Sequence, residues 1–177
     1  MGAPYSWPDG ARLAMSFVIN IEEGSEMSVA RGDKGPEPVD ELGVSLKIPI
    51  RNYANESNYQ YGIRAGAPRV FGLFAEHRIR TTVTAAAQAI ESAPELANYI
   101  RDGRHETCSH GWRWVHQFKL DEAAERDFIR KAADSIERTT GTRPCPGSSA
   151  RQPGSGGVSR RFYPCARAAS GGSGACR

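Results

Sequence analysis

Long apolar runs are missing from this 177-residue chain. No stretch approaches the roughly 18 residues that a membrane-crossing helix requires, so a transmembrane protein is excluded. A Gly-X-Y period and a sustained heptad are missing too, which removes collagen and coiled-coil readings. Residues 1–10 hold Pro4, Pro8 and Asp9 but no basic start followed by an apolar stretch, so no secretory signal is expected and the cytoplasm is the default location. Cysteine is scarce. Of the four, Cys145, Cys165 and Cys176 lie near the C-terminus with no C-x-x-C pair and no neighbouring His, which gives a disulfide framework or metal cluster no support. What is present, at this length, suits one domain of ordinary size with a sizeable core.

Charge is unevenly placed. Lys and Arg number 23 against 20 Asp and Glu, yet residues 145–177 hold five Arg and no acid, so residues 1–144 carry 18 basic and 20 acidic groups. Leu, Ile, Met, Lys, Asp, Glu and His are absent from 145–177, where Gly, Ser, Ala and Arg dominate. Such a segment has little to bury and is expected to be disordered. Its mixture is also what a GC-rich gene yields out of frame, so the reading frame is expected to be lost just after Pro144. The chain therefore divides into a body, 1–144, and a low-complexity tail, 145–177.

Within the body, Arg12–Ile21 follows Pro8-Asp9-Gly10 and reads as a buried strand ending at Glu22-Glu23-Gly24. Residues 32–49 read as a long irregular excursion, extended by the polar and aromatic stretch Arg51–Arg64. A helix is predicted over Pro68–His77 with Val70, Leu73 and Phe74 on one face, then a strand over Thr81–Thr84. The next helix is predicted to start in a capping box formed by Ser92 and Glu95, with Pro94 in its first turn, and to stop at Gly103. Arg104–Cys108 reads as a short strand. Asp121 is expected to cap a long helix to about Thr140, with Phe128, Ile129, Ala132 and Ile136 inward. Strands alternating with helices predict an α/β fold with a parallel sheet, whose ligand site gathers at the C-terminal strand ends.

Two such ends concentrate chemistry. At Asn20-Ile21-Glu22-Glu23-Gly24, a partly buried carboxylate can serve as general acid or base. The same residues also suit the start of a solvated loop, and both readings stay open. The second end is Arg104-His105-Glu106-Thr107-Cys108-Ser109-His110-Gly111-Trp112-Arg113-Trp114, in which both histidines could approach one pocket from a strand and its following turn. Cys108 reads as a small buried hydrophobe rather than a nucleophile.

Together these places resemble the polysaccharide deacetylase, or NodB-homology, family. Asn20-Ile21-Glu22-Glu23-Gly24 is similar to that family's Thr-Phe-Asp-Asp-Gly motif with Glu in both acidic positions. His105–His110 matches the first half of the histidine motif, and Gly141-Thr142-Arg143-Pro144 the opening of a third. Trp114 stands where the family's second metal-binding His is expected. With Glu56-Ser57 and Tyr61-Gly62-x-Arg64-Ala65-Gly66, this is similar to the branch of allantoinase-like amide hydrolases and some peptidoglycan or chitin-type deacetylases.

The resemblance implies an incomplete distorted (β/α) barrel and hydrolysis of a non-peptide C–N bond in a small amide or acetamido sugar. It puts Glu22 in the place of the base, Glu23 in that of the metal-binding Asp and His110 in that of the first metal His. Glu22 and His110 are therefore expected to be catalytic, and Glu23, Glu56, Arg64, Trp112 and Trp114 substrate contacts. Arg64, Trp112 and Trp114 equally suit rim packing and a surface ion pair, and both readings stay open. No cofactor is expected, because only Glu23 and His110 would remain as ligands for a divalent ion such as zinc, and catalytic sites of that kind use three. His116 is displaced from the place of the missing ligand. Strands lacking from the barrel would leave an exposed inner face, so impaired folding and turnover are expected. A second reading is a non-catalytic α/β binding module with a basic flexible tail. No membrane partner and no nucleic acid are expected under the first reading, and a homo-oligomer is left open.

Overall fold

Among the described residues three short parallel strands carry the fold: β1 (Val18–Ile21), β2 (Thr82–Ala85) and β3 (Glu106–Ser109), paired in that order. Ile21 aligns with Ala85, and Ala85 with Ser109, so the three C-terminal ends are level. The computed structural model describes residues 7–38, 46 and 48–145. Cys145 pairs in parallel with Cys108, so the chain begins to enter the sheet beside β3 at that residue. The rest of the segment read as a disordered, out-of-frame tail lies outside the described residues.

Alternation along the strands turns Ile21, Val83, Ala85 and Thr107 to a buried face, and Asn20, Thr82, Thr84, Glu106 and Cys108 to the other. The buried face packs against α3 (Ala87–Ser92), α4 (Pro94–Asp102) and α5 (Glu122–Thr140). Seven of the core residues are alanines, which lets these helices lie close to the sheet. Between β1 and β2 runs a nearly continuous helical stretch: α1 (Tyr53–Tyr61), a π-helical turn (Gly62–Gly66) and α2 (Ala67–Glu76).

Several expectations are corrected. β1 begins at Val18 rather than Arg12, because β2 offers only four residues for pairing and Leu13 and Met15 stay exposed. The stretch read as irregular, Arg51–Arg64, is mostly helical. Asn52 Oδ1 accepts from the Asn55 amide at 3.1 Å and starts α1, and Asn55, Tyr59 and Ile63 are buried at four-residue spacing. On α2 the buried residue is Phe71, which stacks on Tyr99, whereas Val70 and Leu73 are exposed. Ser92 ends α3 and its hydroxyl donates to the Gln88 carbonyl at 2.7 Å, so α4 starts at Pro94 with Ala93 in the N-cap position and no side-chain cap.

The Asp121 cap is as expected. Its Oδ1 accepts from the Ala124 amide at 2.8 Å, and Gly141 closes α5 in the left-handed region at φ 76°. Ala132 and Ile136 are fully buried, while Phe128 and Ile129 are half-buried. Asp121→Ala is expected to cost about 0.5–2 kcal/mol, read as a lower midpoint in a denaturant melt.

Candidate active site

The chain turns sharply where β1 ends. Gly24 takes φ 105°, its amide donates to Glu26 Oε2 at 2.6 Å, and its carbonyl accepts from Gln88 Nε2 at 3.0 Å. The loop after β3 is tied to the same region. The His110 amide donates to the Ala85 carbonyl at 2.8 Å, and the Gly111 and Trp112 carbonyls accept from Ala87 and Gln88. The Trp114 amide reaches across to the Ser25 carbonyl at 3.1 Å, so the two loops lie side by side.

This brings three side chains to one point. Glu22 Oε2 lies 3.2 Å from His110 Nε2 and accepts from Trp114 Nε1 at 2.8 Å. Among the described residues its other oxygen, Oε1, takes no hydrogen bond. The Glu22 and His110 side chains are each about a quarter exposed, at 24% and 23%. The hydrogen bond from His110 holds the Glu22 carboxyl below its ordinary pKa against the opposing effect of burial. The same bond raises His110 above the ordinary histidine value, again against burial. Among the described residues His110 Nδ1 is buried with no hydrogen-bond partner.

The residues around this trio have separate tasks. Glu23 Oε2 accepts from the Glu22 amide at 3.2 Å, and its side chain lies against the π-helical turn. A Cβ at Gly62 would stand 2.6 Å from Glu23 Oε1, so that close approach requires glycine. Trp114 meets buried Tyr59 edge-on at 5.9 Å. Glu56 pairs with Arg51 at 2.5 Å and lines a small cleft with Glu26, Asn55 and Tyr59. Arg64 is exposed on the π-helical turn and has no ion pair among the described residues. Trp112 packs against the core under Lys131, whose Nζ lies 3.6 Å from the ring centre. The fold thus joins Glu22, Glu23, His110 and Trp114, while among the described residues Glu56, Arg64 and Trp112 make no hydrogen bond or ion pair with Glu22 or His110.

His105 and His110 do not share a pocket. His105 sits at the opposite end of β3, where its Nδ1 accepts from the Thr81 amide at 3.2 Å and its ring packs on Phe71. The strand between them carries the two imidazoles apart at about 3.3 Å per residue. His116 is exposed beside Phe118, and Arg143 pairs with Asp134 and Glu137 of α5.

Sequence reasoning missed the clamp behind the site. Arg113 grips Asp33 through both terminal nitrogens, at 3.0 and 2.8 Å, and also donates to the Glu26 carbonyl. Arg31 donates to Glu26 Oε1 at 2.7 Å, so that buried carboxylate is paired. Asp33 and Arg113 lie 80 residues apart. The only signal available was an Arg between two tryptophans.

The donor set does not match a three-ligand divalent ion. Trp114 offers an N–H, which donates only, and Oε2 of Glu22 and Nε2 of His110 already face each other. Among the described residues no group of three His, Cys, Asp or Glu side chains is arranged to hold a metal.

The chain belongs to the polysaccharide deacetylase family, whose model matches residues 57–162. A Schizosaccharomyces pombe protein named for polysaccharide deacetylase is 32% identical over 145 residues, covering 80% of this chain and 45% of that protein. The crystal structure of a probable polysaccharide deacetylase from Pseudomonas aeruginosa PAO1 is 39% identical, with a TM-score of 0.71, over 78% of this chain and 47% of that one. The crystal structure of PuuE allantoinase is 35% identical, with a TM-score of 0.76, over 90% of this chain and 53% of that one. The chain spans about half the length of these relatives. Its parallel α/β architecture is the one they carry, and the family match runs past Pro144. Among the described residues no helix is long and apolar enough to cross a membrane.

Proposed function

We propose that the protein hydrolyses a non-peptide C–N bond in a small amide, with Glu22 as general base. The observation that carries this reading is Glu22 at the mouth of the parallel sheet, one carboxylate oxygen held by His110 and Trp114 and the other without a hydrogen bond among the described residues. A water bound at Oε1 gives its proton to Glu22 as its oxygen attacks the carbonyl carbon. The C–N bond then breaks, and Glu22 returns the proton to the leaving nitrogen. The His110 imidazolium offsets negative charge as the carbonyl oxygen becomes tetrahedral. Glu23, Glu56, Arg64, Trp112 and Trp114 are retained as substrate contacts, Arg64 as an exposed cation on the π-helical turn that makes no ion pair among the described residues.

The likeness to PuuE allantoinase favours a cyclic amide over an acetamido sugar. With Trp114 in place of a third ligand, the reaction is expected to run without a resident metal in a cytoplasmic setting. The test is a panel of cyclic amides and acetamido sugars incubated with the purified full chain, with and without chelator. Turnover of a cyclic amide that survives chelation is expected. Hydrolysis of neither class, or activity lost to chelator and restored by zinc, overturns the reading.

The pH profile is a sharper check. Glu22 must be ionised and its pKa is lowered, so the acid limb should lie below about 4.5. His110 must be protonated and its pKa is raised, so the alkaline limb should lie above about 6.5. In His110→Gln the alkaline limb is expected to vanish and the acid limb to move up, because the main group holding the Glu22 pKa down is gone.

A further inference from the structure

The N-terminal ends of the strands, opposite Glu22, form a second place with chemistry. The residues entering β1, β2 and β3 line an open cavity of about 320 Å³, among them Phe17, Arg80, Thr81, Thr82, Arg104 and Glu106. Among the described residues neither Arg80 nor Arg104 makes an ion pair or a hydrogen bond through its guanidinium. The carboxylate beside them, Glu106, is already engaged: Oε2 accepts from Thr82 Oγ1 at 2.9 Å, and Oε1 lies 3.4 Å from Cys145 Sγ.

The backbone adds a second observation. Arg104 lies in the left-handed region at φ 51°, where glycine is the unstrained residue, while Gly103 just before it takes an ordinary helical φ of −76°. Arg104 therefore bears conformational strain at the cavity edge, and Gly103 is needed where it stands, because a Cβ there would lie 2.4 Å from His105 Nε2. His105 adds no positive charge of its own. Its Nδ1 is taken by the Thr81 amide, and burial, helped by the charge of Arg80, lowers its pKa.

We propose that this cavity binds a phosphate-class dianion through Arg80 and Arg104. Two guanidinium forks match the paired oxygens of a phosphate group, and their two positive charges outweigh the single carboxylate, Glu106, in the same cavity. The site is separate from the Glu22 centre and does not depend on the hydrolase reading. The chemistry is shared by inorganic phosphate and by a phosphate monoester.

The test measures thermal midpoints and calorimetric affinities of the full chain with inorganic phosphate, with glucose 6-phosphate and with sodium chloride at matched ionic strength. A rise in midpoint specific to either phosphate is expected, as for any ligand bound only by the folded state. Arg80→Gln should weaken phosphate about tenfold or more. Arg104→Gly should raise the midpoint without phosphate, by relieving the strained φ, and remove the phosphate response. Tighter binding of the sugar phosphate identifies an ester ligand, and equal binding a free-anion pocket; both support the site. No response beyond chloride, or unchanged affinity in both variants, overturns it.

Discussion

Glu22→Gln is expected to lower kcat by about 10²- to 10⁴-fold, the usual contribution of a positioned general base. The change keeps the side-chain length and leaves an amide oxygen that can still accept from Trp114 Nε1, so the loop is expected to stay in place. The fold should survive, because Glu22 is no member of the core and the backbone bonds holding its turn come from Gly24, Glu26 and Gln88. Steady-state rates with circular dichroism check both halves of the expectation. Activity equal to wild type in a folded Gln variant would remove Glu22 from the chemistry.

The same variant carries a stability signature. Glu22 has a lowered folded pKa, so its contribution is fully present above its ordinary value near 4.5 and is lost as pH falls through the folded value. His110 has a raised folded pKa, so its contribution is fully present below about 6.5 and is lost as pH rises through its folded value. The pair therefore stabilises most between about pH 4.5 and 6.5. The stability difference between wild type and Glu22→Gln should be largest in that window and shrink on either side.

Ile136→Ala should be the most damaging single change to stability considered, at about 2–5 kcal/mol for a large-to-small substitution in a packed core. Ile136 is fully buried on α5 and belongs to the same core cluster as Ile90, Leu96, Ala97 and Ala132. Seven of the fifteen buried residues in that cluster are alanines, whose short side chains cannot swing in to fill the space left behind. Around it α5 is tied down by polar contacts: the Ser135 hydroxyl donates to Glu91 Oε1 at 2.6 Å, and Arg138 pairs with the same carboxylate. These hold the helix where it is and limit collapse onto the cavity. At roughly 2–4 °C per kcal/mol for a chain of this size, the melting midpoint should fall by about 4–20 °C. Ile129→Ala, at a half-buried position on the same helix, should cost less.

Parts of the fold were legible because their signals are local. The Asp121 cap, the Gly141 stop and the four-residue spacing of Ala132 and Ile136 define α5 without reference to the rest of the molecule. β2 was legible as a β-branched run between helices. α1 was not: its polar and aromatic composition hides a buried stripe of Asn55, Tyr59 and Ile63, two of which are not ordinary core residues. α3 was hidden for a different reason. Its six residues are too few for a period to emerge, and Ser92 at its end imitates the start of the next helix.

Of the candidate site, the sequence by itself determined the ingredients: an acidic couplet closing a strand, an imidazole and an indole in a later loop, and the family these motifs resemble. Only the tertiary structure decided which carboxylate meets the imidazole and that Trp114, not Trp112, joins them. It also decided that His105 faces the far end of the strand and that Arg113 locks Asp33 from 80 residues away. The reason is physical. Capping and helical periodicity act over a few residues along the chain, whereas a 3 Å contact between loops depends on strand register and on the turn each loop makes, and both are set only when the sheet and its helices pack together.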